Sequence, residues 1–256
     1  MASAVSRDFW IRLVIGMPAA LLVQLGVRAL SNPLADVGSV GAFVTAIGTL
    51  YSVLTGFTVI SVWQQFTETD RAVKREARGL AELWRYVGYV EDVDGASHAR
   101  KAIERYRDEV VKKEWPTMIA GRTATAAEEE YFAMADAVNG MKVTNRRDVP
   151  AWAEAVRTLG EVSDARGERA VFVATRMPRL LRLLLYIATI SLVVGMAILG
   201  FEDAKFGIAV MVLTVVVSLL VLEVIDDLDD PFSGAWAISS APLARIRFGA
   251  RVDRSA

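Results

Sequence analysis

Apolar positions along the chain fall into four blocks separated by strongly charged sequence. The first, residues 9–30, is the most broken. Arg12 and Arg28 lie near its two ends, where long cationic side chains can reach the membrane interface. Pro18 sits inside it, as a membrane helix packed against others tolerates. The second block, residues 37–63, holds no charged residue. As a helix it is about 40 Å long against a hydrocarbon core of roughly 30 Å, so it must tilt or project. No proline lies between Pro33 and Pro116, which predicts a helix running on past Gln64 as a stalk. The third and fourth blocks, residues 183–201 and 206–224, are joined by a short link and predict an antiparallel hairpin.

Residues 64–178 are charged and carry helical spacing nearly throughout. Val73, Ala77, Leu80, Leu83, Trp84 and Val87 mark one face of the stalk. Ser97 is the expected cap of a helix through about Trp115, with Ile103, Tyr106 and Val110 on one face and Pro116 as its stop. Thr125, Ala126, Ala127 and Glu128 fit a capping box opening a helix that ends near Asn139 and Gly140. Asp148, Val149 and Pro150 predict another helix through about Arg176, with Trp152, Val156 and Leu159 on its stripe and a kink at Pro178. No internal repeat or low-complexity segment stands out.

Composition fits a membrane protein: 54% of the 256 residues are hydrophobic, concentrated in the four blocks. Basic residues give the orientation. Arg71, Lys74, Arg75 and Arg78 follow the second block, Arg176, Arg179 and Arg182 precede the third, and Arg245, Arg247, Arg251 and Arg254 lie in the tail. The link at 31–36 holds no basic residue, and that at 202–205 sets Glu202 and Asp203 against Lys205. The central region and both termini are therefore expected in the cytoplasm, the chain crossing the cell inner membrane several times. A cleaved signal is not expected, because Arg12, Gln24 and Arg28 interrupt the first block. The expected fold is an all-α integral membrane protein with four transmembrane helices and a large helical cytoplasmic domain inserted between the second and third. Its divisions are 1–63 for the first two spans, 64–178 for the cytoplasmic domain, 179–225 for the hairpin and 226–256 for the acidic turn and tail.

The formal net charge of -1 does not suggest a nucleic-acid partner. With no cysteine, disulfides, thiolate catalysis and cysteine–zinc sites are excluded, and the single histidine, His98, cannot form a histidine cluster. No nucleotide-binding, hydrolase or metalloprotease motif occurs, so an enzyme is not expected and no cofactor is called for. The second block is unusual in mixing small and hydroxyl residues with apolar ones, among them Gly41, Thr45, Gly48, Thr49, Ser52, Thr55, Gly56, Thr58 and Ser61. Two readings are open. Small residues let helix backbones approach closely, and Thr45, Ser52 and Gly56 suit that role or a path. Alternatively Thr49, Val53 and Phe57, four residues apart, line a narrow constriction around an axis. One chain cannot enclose such a path, so this reading requires a homo-oligomer within the bilayer, passing inorganic ions. At the end of the fourth block stand Glu223, Asp226, Asp227, Asp229 and Asp230. Such crowded carboxylates need arginine partners, solvent, or a hard cation such as calcium.

These stretches resemble a known family. Residues 53–59 followed by Val62, Trp63, Gln64, Gln65 and Phe66 look like the bestrophin pore helix and the segment after it. The acidic stretch with Pro231, Phe232, Ser233 and Gly234 is similar to the bestrophin proline–phenylalanine–glycine motif. A closer likeness is to a bacterial bestrophin-like family with two spans, a stalk bearing a Glu-Ala pair (here Glu76 and Ala77), a helical insert, a hairpin and an Asp-rich ending. It covers roughly residues 35–245. The resemblance implies a homo-pentameric ion channel whose second span puts Thr49, Val53 and Phe57 on the axis. The bestrophin neck is more aromatic, and its acidic cluster mostly follows the motif rather than preceding it. A non-conducting membrane scaffold or sensor, docking a partner through its helical domain, is the alternative.

Overall fold

The structure is a computed structural model that describes residues 7–29, 37–122, 125–199 and 203–248. The link at 31–36, Glu202, Arg251 and Arg254 lie outside the described residues. Nine α-helices are seen among the described residues: α1 (Arg7–Ala29), α2 (Val37–Val87), α3 (Val93–Glu109), α4 (Trp115–Ile119), α5 (Glu128–Asn139), α6 (Val149–Ala174), α7 (Arg179–Leu199), α8 (Ala204–Asp229) and α9 (Ala241–Ala244). A π-helical turn, Val110–Glu114, joins α3 to α4. Among the described residues three helices are long and apolar enough to cross a membrane: α7, α8 and the 50 residues from Gly38 to Val87 in α2. Among its described residues α1 carries the apolar stretch Trp10–Leu22.

The chain divides into two compact units. The first holds the helices of residues 1–65 and 177–230 together with 234–236. Their directions follow from the contacts. Arg12 of α1 meets Asp226 of α8, while Ala20 clusters with Met211 and Val215, so α1 and α8 are antiparallel. Gly48 of α2 faces Leu192 of α7, and Leu54 and Val59 pack in the cluster of Leu185, Leu222 and Ile225, so α2 runs opposite to α7. The four helices alternate in direction, with Arg12, Leu181, Arg182 and the acidic end of α8 at one end of the unit. Towards the opposite end Gly195 allows α7 to pack closely on α2: a Cβ on it would stand 2.7 Å from Val44 Cγ2.

The second unit is built from residues 66–176, with 231–233 and the tail from 237. Its core joins Val73, Leu80 and Leu83 of α2 to Ala99, Ile103 and Tyr106 of α3, Met134 and Val138 of α5, and Leu159 and Val162 of α6.

Several helix ends differ from the sequence expectation. The N-cap of α3 is Asp92 rather than Ser97; its carboxylate accepts the backbone N–H of Gly95 at 3.0 Å and of Lys142 at 2.8 Å. Those two backbone donors, Lys142 first, hold the half-buried Asp92 carboxyl below its ordinary pKa. Pro116 does not stop the helix. The π-turn ahead of it takes the Trp115 N–H to Val110 O, and Pro116 falls in the first turn of α4, where its missing donor costs nothing. Thr125 makes no capping box. The N-cap of α5 is Ala127, whose N–H is accepted instead by the buried Glu114 carboxylate at 2.9 Å. At Pro178 the chain breaks rather than kinks: α6 ends at Ala174 and α7 begins at Arg179.

Candidate functional site

Along α2 the buried positions follow one stripe. Val44, Tyr51, Thr55, Thr58 and Val62 are buried in the first unit, spaced by three, four or seven residues. Nine residues are about two and a half turns, so Val53 lies opposite both Val44 and Val62. Val53 is 52% exposed and Phe57 69%, and Thr49 is exposed beside them. The structure therefore puts the expected row Thr49, Val53, Phe57 on the face of α2 turned away from its own chain. Thr45, Ser52 and Gly56 are exposed on its flank.

The hydroxyls of this helix are largely tied to their own backbone. Thr45, Thr49, Ser52, Thr58 and Ser61 each donate to the carbonyl four residues earlier at 2.8–2.9 Å. A back-bonded hydroxyl needs no outside partner, so the row presents mainly methyl and aromatic surface. Tyr51 and Thr55 on the buried stripe are the exceptions, their hydroxyls meeting no partner among the described residues. Past this segment, Trp63 stands edge-on to Trp236 with ring centroids 5.8 Å apart.

Two of the five carboxylates at the end of α8, Asp226 and Asp229, pair with arginine. Arg182 Nη2 donates to Asp229 Oδ2 at 2.6 Å, and its guanidinium lies 3.7 Å from Asp226. Arg12 reaches Asp226 at 2.8 Å. Asp229 also accepts the Met177 N–H at 2.7 Å. Asp227 accepts the N–H of Ala235 through both oxygens at 3.1 Å, just after Gly234, whose φ of 85° favours glycine. A Cβ on Gly234 would strike that carboxylate. Glu223 and Asp230 are half-buried. Among the described residues no group of three or more possible ligands could hold a metal ion. Asp226 and Asp229 are thus ion-paired at this helix end, and Asp227 closes the turn after it.

In the second unit, Phe232 of the Pro-Phe-Ser-Gly stretch is buried, its ring 5.5 Å from Trp115. Nearer the centre lies a network that sequence reasoning missed. Glu76, Tyr106, Glu114 and Arg169 are all fully buried. Arg169 donates to Glu76 through Nε at 2.7 Å and Nη2 at 3.1 Å, and Tyr106 donates to Glu76 at 2.6 Å. Arg169 Nη1 sits 2.7 Å from Glu114 Oε1 as a charge contact, its hydrogen bond being aimed at Met118 Sδ, 3.1 Å away. Burial alone lowers the Arg169 pKa, but the charge of Glu76 leads the effects that drive it well above its ordinary value. Burial, then the Glu76 charge, raises the Tyr106 pKa and keeps the phenol neutral. The signal was present: Glu76 interrupts the stripe of Val73 and Leu80, and Arg169 that of Val162 and Val173.

Comparison with known proteins decides the family. The Bestrophin-like domain model matches residues 13–243. The chain belongs to the bestrophin-like family. Two crystal structures of variants of a bacterial bestrophin homologue from Klebsiella pneumoniae share the fold. One has a TM-score of 0.71, with 14% identity, over 93% of this chain and 97% of that one. The other has a TM-score of 0.70, also with 14% identity, over 93% and 96%. A variant of a protein described only as a membrane protein has a TM-score of 0.71 at 14% identity, over 92% and 94%. No curated protein matches.

Proposed function

We propose that this bestrophin-like chain forms an oligomeric ion channel of the bacterial inner membrane, its path lined by α2. The carrying observation is the exposed row Thr49, Val53 and Phe57, diametrically opposite the stripe by which α2 packs on its own chain. Copies closed around an axis cover that row and stack a threonine methyl, an isopropyl group and an aromatic ring as a narrow, dewetted constriction. Bestrophin channels, which the chain resembles, put their second span on the axis of a pentamer. Four crossings, a cytoplasmic helical domain and cytoplasmic termini complete the reading. Trp63 and Trp236, about half exposed, suit the membrane boundary where α2 leaves the bilayer.

The test is planar-bilayer recording of purified oligomers. Phe57→Ala widens the constriction and is expected to raise unitary conductance. If well-folded oligomers pass no current in any salt, the protein is a scaffold or sensor instead.

A further inference from the structure

The first unit holds a cavity of about 280 Å³ between α1, α7 and α8. Gly16, Ala19 and Ala20 of α1, Val193 and Ala197 of α7 and Val215 of α8 line it. Small side chains on α1 leave the space: a Cβ built on Gly16 meets no atom within 4 Å. Ala20 and Val215 stand near the midpoints of α1 and α8, so the cavity lies about halfway along those helices. Its wall is apolar almost throughout. The one hydroxyl, on Thr189, donates to Leu185 O at 2.8 Å. A buried water needs roughly two to four polar partners, and no side chain of this wall is free to supply one. By volume the cavity is nearly twice the roughly 150 Å³ apolar space that takes a benzene-sized molecule. Its chemistry suits hydrocarbon.

Which hydrocarbon follows from where the mouth faces. Ala19 and Ile190 are exposed within the lining, and Ile15 and Ile187 are exposed one turn away on the same helices. At about 100° per residue, Thr189, Val193 and Ala197 lie on the far side of α7 from Leu192 and Gly195, which meet Gly48 and Val44 of α2. No described residue of α2 lines the cavity. It therefore opens away from α2, and copies closed around the α2 row leave its mouth toward the bilayer rather than the axis. At that depth the bilayer supplies acyl chains.

We propose that this cavity is a lipid site, taking the mid-chain segment of one phospholipid acyl chain between α1 and the α7–α8 hairpin. Recognition is by shape and dispersion, with no headgroup chemistry. The chain completes the packing of α1, whose buried contact with the hairpin here runs through Ala20. This inference rests on the membrane and oligomer parts of the reading above and not on conduction.

The experiment uses purified oligomers in phosphatidylethanolamine vesicles doped with the same lipid carrying a diazirine midway along one acyl chain. Irradiation, digestion and peptide mass spectrometry locate the label. Label is expected to concentrate on residues 16–20 and 189–197, above that on Leu213 and Val217, exposed on α8 at a similar depth. Gly16→Leu enters open space and leucine is the better helix former, so the variant is expected to fold, checked by elution volume. Filling the cavity is expected to cut labelling of residues 189–197 roughly fivefold. Should Gly16→Leu not fold, Ala19→Leu closes the cavity from the next turn. The control is Val14→Leu, exposed and about 200° round α1 from Gly16, which should leave labelling unmoved. Label spread evenly over the exposed apolar faces, or undiminished by filling, overturns the site. So does absence of label from residues 189–197, whether the cavity stays empty or a second copy covers its mouth. Planar-bilayer current is recorded on the same preparation, so failure of the lipid site and failure of the channel are separate readings.

Discussion

Arg169 has no solvent exposure, and neither do Glu76 and Glu114. Burying a charge costs several kcal/mol per ion, offset only when its contacts are close and complete. Here the guanidinium spans two carboxylates, and the second of these also takes the Ala127 N–H. Arg169→Met strands two buried carboxylates and is expected to destabilise the fold by about 3–5 kcal/mol, read from denaturant midpoints. Adding Glu76→Gln to that variant should recover part of the loss, since partners in one network are not additive. An Arg169→Met variant as stable as the parent contradicts the network. Tyr106 adds a pH dependence whose sign follows from its raised pKa. Below about pH 10 both folded and unfolded chains keep the phenol proton, and its contribution is fully present. Above that the unfolded chain releases a proton the folded one retains, so stability falls as pH rises toward the folded pKa. Tyr106→Phe is expected to cost about 1–3 kcal/mol at neutral pH and to flatten the alkaline decline. An unchanged slope between about pH 9 and 11, on either side of the ordinary tyrosine pKa, contradicts this account.

The π-turn Val110–Glu114 is the element that brings Glu114 to Arg169 and to the start of α5. A π-turn is a helix with one residue in excess, and such turns recur where a side chain must be re-aimed. Deleting Val111 restores α-helical register and rotates α4 by about 100° relative to α3. The expected result is loss of the Glu114 contacts, with destabilisation matching that of Glu114→Ala; equal stability of the deletion variant and the parent sinks the idea. Elements were legible wherever the controlling signal is local. The unbroken α2 follows from the lack of proline after Pro33, the α7–α8 hairpin from a short link between two apolar blocks, and the start of α6 from Asp148 and Pro150. The α5 cap was not legible because its acceptor sits 13 residues away on another element, and Thr125 offers a plausible local substitute. Pro116 misled for a related reason: a proline that ends one helix is chemically the same as one that opens the next. The row Thr49, Val53 and Phe57 was legible as a shared face from spacing, but which way that face turns depends on α7, far along the chain.

At the scale of the whole molecule the number of crossings turns on α1. Among the described residues three helices qualify as spans by length and composition, while the described apolar stretch of α1, Trp10–Leu22, carries Arg12. Three crossings put the two termini on opposite sides of the membrane, four on the same side. Packing favours four. Ala20 is buried against Ala197, Met211 and Val215 deep in the α7–α8 hairpin, so α1 lies along that hairpin rather than on its rim. Arg12 is neutralised by Asp226 at the end where α8 finishes. An arginine paired at the end of a bundle, with its stem along the helix, removes the main objection to burying α1 in lipid. Hence reporters fused to the N-terminus and to the C-terminus should both signal the cytoplasm, fluorescing there and showing no periplasmic phosphatase activity. Asp226→Ala leaves Arg12 without that partner and, with a lysine-free first link, is expected to lower the yield of inserted protein without inverting it. A phosphatase-active N-terminus beside a cytoplasmic C-terminus reduces the count to three and assigns α1 to the membrane surface.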